Sequence, residues 1–318
     1  MKKLSIILLF VAFATILQAQ NKSTVPTGAA IGKFSISENK QVYFSKGNLQ
    51  YQASTNTWRF AEHQWDYVGG TEGEKEYGTV YEKGVKSNTA MISSSYTGWI
   101  DLFGYGTSGY NHGAVSYQPW STNFKPGEYL PYGCDTCNLY DQTGKADWGY
   151  NAISNGGNKK GFWRCLTREE SDYILKERNT VTGIRFVMAK VNGVNGMILL
   201  PDDWNSNVYI WELPFLSVLQ TEDLSQNSPK QRRTNDDSYD NAVTASQWDE
   251  LEKLGAVFLP SAGSRVETRP ESMQSWGFYW TSSCNDFFWF DIDGLCSGGL
   301  WDPFCNGFSV RLVCPVEN

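Results

Sequence analysis

Short apolar runs of strand length recur along this chain, separated by stretches rich in Gly, Ser, Asn and charged residues. "KQVYFSKGNLQY" around Val42 to Tyr51 and "TWRFA" at Trp58 to Phe60 read as strands. From about Gly69 to Gly161 the chain is rich in Gly, Tyr, Ser and Asn, which predicts long loops with short strands. Beyond it, "IRFVMAKV" from Ile184, "GMILLPDDW" from Gly196, "GAVFLPSAG" from Gly255 and "FYWTSS" from Phe278 read as buried strands. In "GFSVRLV" from Gly307, Phe308, Val310 and Leu312 alternate with Ser309, Arg311 and Val313. That is the period of a strand with one buried face. The polar stretch from Gln220 to Asn241 mixes acids with bases and reads as a solvated loop.

Two helices are predicted from their caps. In "LTREESDYILKER", Thr167 stands three residues before Glu170; in "TASQWDELEKL", Thr244 stands three before Gln247. Each pair fits a capping box, in which two side chains satisfy two amides that a helix start leaves unpaired. Trp248, Leu251 and Leu254 then share a face at helical spacing and are expected to face the core. The pattern predicts one α+β domain: short mixed strands, two helices and much irregular loop.

With 318 residues the chain can bury a large core. A net charge of -7 argues against nucleic acid and anionic membrane as main partners, since both need a basic face. Aromatics make up 15% of the residues, with 13 Trp. That usage fits a large β-rich core or a binding surface, because Trp and Tyr give large contact area at low entropic cost. The opening "MKKLSIILLFVAFATILQAQ" has the marks of a signal peptide: Lys2 and Lys3, an apolar run from Leu4 to Leu17, and a small-residue cleavage site after Ala19. No later segment has the roughly 18 unbroken apolar residues of a membrane span. The expected organisation is a signal peptide 1–19, a polar linker 20–33 and a single domain 34–318, exported and extracellular or surface-associated.

Export permits disulfides among the seven cysteines, Cys134, Cys137, Cys165, Cys284, Cys296, Cys305 and Cys314, but the odd number leaves one over. "CDTC" at Cys134 lacks the second CxxC of a zinc site. Neither histidine, His63 or His112, lies in a metal-ligand or nucleophile-elbow pattern. "LFGYGTSGY" lacks the strand-then-helix setting of a dinucleotide loop. Asp202-Asp203 follows a strand and reads as a turn; Asp236-Asp237 is the other acidic pair, and no EF-hand spacing is present. No cofactor and no catalytic residue are expected.

The stretch "FFWFDIDGLCSGGLWDPFCNGFSVRLV" from Phe287 resists this sorting, because its Phe, Trp and Cys are mixed with Asp, Gly and Pro without a period. Taken with "VYFSKGNLQY", "WRFAEHQWDYVG", "GWIDLFGYGTSGY", "DWGYNAISNGG", "WRCLT", "VNGVNGMILLPDDW", "GAVFLPSAGSR", "GFYWTSS" and "GFSVRLV", in this order, the chain from Phe34 to Val313 resembles exported Bacteroidetes proteins of the Fibrobacter succinogenes major paralogous type. The resemblance implies a C-type-lectin-like fold of the branch related to formylglycine-generating enzymes. Several such proteins are targets of diversity-generating retroelements, which rewrite adenines near the 3′ end of the target gene. Asn codons changed in this way cannot become Lys, Gln, Glu, Met or Trp.

Cys284 to Cys305 contains no Lys, Gln, Glu or Met, and only Trp289 and Trp301 fall outside the accessible set. The resemblance therefore implies a variable region at about 284–305, held outward by "YWTSS" before and "GFSVRLV" after. A changeable loop on a rigid scaffold is how many binding surfaces are built. The expected binding residues are Cys284, Asn285, Asp286, Phe287, Phe288, Trp289, Asp291, Asp293, Leu295, Cys296, Ser297, Leu300, Trp301, Asp302, Phe304 and Cys305. Phe290 and Ile292 are expected to point inward. The expected partner is a protein or glycan on another cell, phage or host surface. Two other readings are a fixed fimbrial-type assembly subunit and, more remotely, a copper oxidase using Cys296 with Cys305 or Cys314.

Overall fold

The computed structural model describes residues 25–52, 54–67, 98–110, 138–205, 242–266, 269–284, 286–291, 294–297 and 304–317. The signal peptide, His112, Cys134, Cys137, the Gln220 to Asn241 stretch, Asn285, Ile292, Asp293, Leu300, Trp301 and Asp302 lie outside the described residues. The architecture is sheet-rich α+β. A hairpin of β1 (Phe34–Ser37) and β2 (Lys40–Phe44) is completed by the final strand β14 (Val313–Pro315), so the two ends of the domain pair with each other. Strands β3 (Leu49–Gln52) and β4 (Thr57–Phe60) form a second hairpin. Strands β5 (Phe186–Val191), β6 (Val194–Leu199), β7 (Ala242–Val243) and β8 (Val257–Pro260) make a four-stranded sheet in the order β7-β5-β6-β8. Strands β9 (Ser264–Val266) and β10 (Arg269–Glu271) pair separately. Strands β11 (Gly277–Trp280), β12 (Phe287–Asp291) and β13 (Gly294–Ser297) form an antiparallel meander.

Both helices start where their caps predict. In α1 (Arg168–Asp172), continued by a π turn over Tyr173–Glu177, and in α2 (Ala245–Lys253), the two capping boxes form in full. Trp248 and Leu251 are buried, and Trp248 meets Phe258 edge-on at 5.7 Å. Leu254 departs from the expected face: α2 has already ended, and the side chain is 42% exposed. Strand β6 is buried at every position because one face packs with Met197, Leu199 and Leu259, and the other with Ile198, Phe258 and Trp248.

The segment from Gly307 to Leu312 is the seam of the molecule. Phe308, Val310 and Leu312 are buried as predicted, but so are Ser309 and Arg311. Beyond isolated bridges, a ladder strand begins only at Val313. On one edge Ser309 N–H donates to Phe278 O, and Trp280 N–H to Ser309 O. On the other, Leu49 N–H donates to Val310 O, and Ser45 N–H to Leu312 O. Both edges are thus paired, and both faces are covered by the core. Arg311 is accommodated by donating to Gln64 Oε1 at 2.6 Å and to Asn48 Oδ1 at 3.4 Å. Gln64 in turn donates to Glu252 at 2.7 Å, so the buried cation is linked to an acid through one amide. Burial pushes the Arg311 guanidinium down to about 10.

A second buried cation, Arg178, ties the turn after β6 to the first hairpin. Its Nη1 donates to Asp202 Oδ1 at 2.9 Å, and Asp202 Oδ2 accepts from the Ser35 amide and hydroxyl and from Gln41. Asp202 is the turn residue predicted from "LLPDDW". The linker reading needs correction at its C-terminal end. Gly28, Ala29 and Ala30 are buried, and Ala30 N–H donates to Phe44 O at 2.8 Å, so this part of the stretch packs on the domain, while Val25 and Ile31 are exposed.

Candidate binding site

The run "FFWF" lacks a period because both faces of the β11–β12–β13 sheet are covered over most of their area. Successive residues of β12 point to opposite sides. Phe288 and Phe290 enter the cluster containing Tyr279, Met188 and Leu259, whereas Phe287 enters the cluster of Trp280, Phe308 and Trp148. On the inner side Phe288 and Phe290 stack on Tyr279 at 5.3 and 6.0 Å. Gly277 is required there: a Cβ would lie 2.3 Å from the Phe290 ring. Tyr279 donates its hydroxyl to Pro260 O and accepts from Asn48 Nδ2.

The outer side grades from core to surface. At the core end, Trp280 donates to Phe103 O at 2.6 Å and lies 4.4 Å from Phe308. From Phe308 a continuous stack runs outward: Phe278 at 5.0 Å, Trp276 at 5.7 Å from Phe278, and Trp289 at 4.8 Å from Trp276. Phe278, Trp276 and Trp289 are half-buried. Asp291 follows Trp289 by two positions on the same side and accepts the Gly294 amide at 3.0 Å, closing the turn into β13. The outcome is a rigid, partly exposed aromatic face bordered by a carboxylate.

Of the sixteen predicted binding residues, the structure places Trp289 and Asp291 on this face. Phe304 is half-buried against Tyr105 at 5.6 Å, across the same core cluster. Leu295 is half-buried against the inner cluster, and the backbones of Cys296 and Ser297 pair with Trp289 and Phe288. Cys284 is half-buried in the turn before β12, its amide donating to Asn138 Oδ1 at 3.0 Å. Four predicted contact residues are interior instead. Phe287 and Phe288 are core for the reason given above. Asp286 is buried, accepts the Thr281 hydroxyl at 2.9 Å and lies 3.5 Å from Arg168, so it anchors the turn. Burial raises its carboxyl above the usual range. Cys305 is 1% exposed, and its carbonyl accepts from Arg265. Phe290 points inward as expected.

Trp276 and Phe278 were not predicted as site residues. The alternation of Trp276, Phe278 and Trp280 in "SWGFYW" is the signal that marks them as one face. Elsewhere, Asp147 is fully buried, accepts the Gly149 and Cys165 amides, and is pushed up to about 6 by burial. Burial and the Asp147 carboxylate hold the Cys165 thiol well above its usual value, and burial pushes Cys314 up to about 12. Of the cysteines named for the oxidase reading, Cys305 and Cys314 are interior, and the side chain of Cys296 lies outside the described residues. Among the described residues no three His, Cys, Asp or Glu are grouped to hold a metal ion, and no helix is long and apolar enough to cross a membrane. Comparison with family models, with curated proteins and with solved structures finds no match to this chain.

Proposed function

We propose that this chain is an exported binding protein with a C-type-lectin-like fold, whose ligand surface is the outer side of the β11–β12–β13 sheet and the loops around it. The observation that carries this reading is the half-buried stack of Trp276, Trp289 and Phe278, backed by fully buried rings. Large aromatics held rigidly at a surface lose little entropy on contact and are the usual anchors of interfaces. The pairing of the domain's two ends through β2 and β14 supports the lectin-like reading, since it lets long intervening loops start and finish on one scaffold. The composition of Cys284 to Cys305 supports diversification by a retroelement. The ligand is a protein or glycan on another cell, phage or host surface.

The test is genetic. The DNA around the gene is read for a reverse transcriptase and for a near-copy of the 3′ end. Both are expected, with adenines in the copy opposite the variable codons. Their absence would overturn diversification and leave a fixed binder.

A further inference from the structure

The chain holds four Asn-Gly pairs, beginning at Asn155, Asn192, Asn195 and Asn306. The side-chain amide of an Asn is open to attack by the next backbone nitrogen, and a following Gly leaves that approach unshielded. The attack needs an Asn side chain that can turn and a Gly N–H that is not held elsewhere. At three pairs the fold withholds these. Asn155 holds the Phe60 N–H and carbonyl with the two ends of its amide, at 2.8 and 2.9 Å, and Gly156 N–H donates to Ile153 O. Asn195 is buried and donates to Gln274 O at 2.7 Å, and Gly196 lies inside β6 between β5 and β8. Asn306 is buried, and Gly307 N–H donates to Arg265 O at 2.8 Å.

Asn192-Gly193 differs from all three. It forms the two-residue turn between β5 and β6, closed by the Val191–Val194 pair. Both residues are exposed, and both φ angles are positive, 48° and 83°, as in the tight hairpin turn that Asn-Gly favours. Among the described residues neither the Asn192 side chain nor the Gly193 N–H has a hydrogen-bond partner, and the space beside Gly193 is open.

We propose that Asn192 is a modification site at which the folded chain deamidates in water. Gly193 N gives up its proton and bonds to Asn192 Cγ. The Cγ–Nδ2 bond breaks and ammonia leaves, which closes a five-membered succinimide. Water then opens the ring at one of its two carbonyls, giving Asp or isoaspartate. Either product adds a negative charge to the hairpin. Isoaspartate also adds a methylene to the main chain of a turn whose length sets the register of β5 on β6.

The experiment incubates the mature chain in mildly alkaline buffer made with heavy-oxygen water, both folded and in denaturant. Peptide mass spectrometry follows the four sites, with fragmentation between Asn192 and Asn195 to separate those two. Dividing each folded rate by the rate of the same site in denaturant removes the effect of local sequence. The ratio at Asn192 is expected to stay within a few-fold of unity. At Asn155, Asn195 and Asn306 it should be at least about tenfold lower, because those sites react only after local opening. The Asn192 product should carry one heavy oxygen. Asn192→Asp, which keeps a residue the turn accepts, should abolish the early release of ammonia from the folded protein. Equal ratios at the four sites, or an Asn192 slowed by folding as much as the other three, would overturn the proposal.

Discussion

Phe290 and Trp289 are neighbours in β12, yet their removal should have different consequences. The Phe290 ring is fully buried, stacked on Tyr279 and packed over Gly277. Phe290→Ala loses the transfer energy of the ring and leaves a closed void, at a cost of about 3–5 kcal/mol. Against a typical total of about 5–15 kcal/mol, that leaves a marginal protein. Trp289→Ala loses part of the transfer term, but its site opens to water and leaves no closed void. Its cost should be about 2 kcal/mol. The assay is urea unfolding followed by far-ultraviolet circular dichroism, which does not depend on the substituted indole. Phe290→Ala should lower the midpoint clearly more than Trp289→Ala, with slopes unchanged. Equal losses, or a loss below about 1 kcal/mol for Phe290→Ala, would refute the assignment of inner and outer sides.

Four further outcomes follow from the same geometry. Arg311→Ala leaves a void beside the Asn48 oxygen and leaves Gln64 Oε1 with the Phe258 amide as its remaining donor, and should cost about 3 kcal/mol, read by calorimetry. Because the folded-state value of Asp147 is raised to about 6, the folded protein binds its proton more tightly than the unfolded chain. Stability from this group is therefore fully present below the unfolded value near 4 and is lost as pH rises through 6. The swing is about 3 kcal/mol, and Asp147→Asn should flatten that part of a melting-temperature profile between pH 4 and 7. Cys165 and Cys314 should resist iodoacetamide in the native protein at neutral pH and react after denaturation, as read by peptide mass spectrometry. Ending the chain before Phe308 removes the segment that joins β11 to the N-terminal strands and should abolish cooperative melting; an unchanged transition would contradict the seam.

Local chemistry was legible in the sequence, and coverage from a distance was not. Thr167 with Glu170 and Thr244 with Gln247 announced both helix starts because a cap is complete within four residues. Phe308, Val310 and Leu312 announced a buried face. Nothing near Arg311 announced that its own face would be closed by Asn48 and Gln64, which lie more than two hundred residues away in sequence. The "FFWF" run looked unsorted for the same reason: its alternation is real, but core lies on both sides. Composition drew attention to the Cys284 to Cys305 window, which includes Trp289 and Asp291 on the outer side of the sheet. It also gathered Asp286, Phe287, Phe288 and Cys305, which hold the sheet in place, and missed Trp276 and Phe278, which lie before the window but belong to its face.

The most direct measurement is a codon-by-codon count of variation in the 3′ end of this gene across many cells of one culture and related isolates. Substitutions should fall between Cys284 and Cys305 and spare Phe287, Phe288, Phe290 and Cys305, with Trp276, Phe278 and Trp289 constant as the shared platform. Substitutions spread evenly over interior and outer codons, or a uniform 3′ end, would contradict a diversified surface built on this sheet.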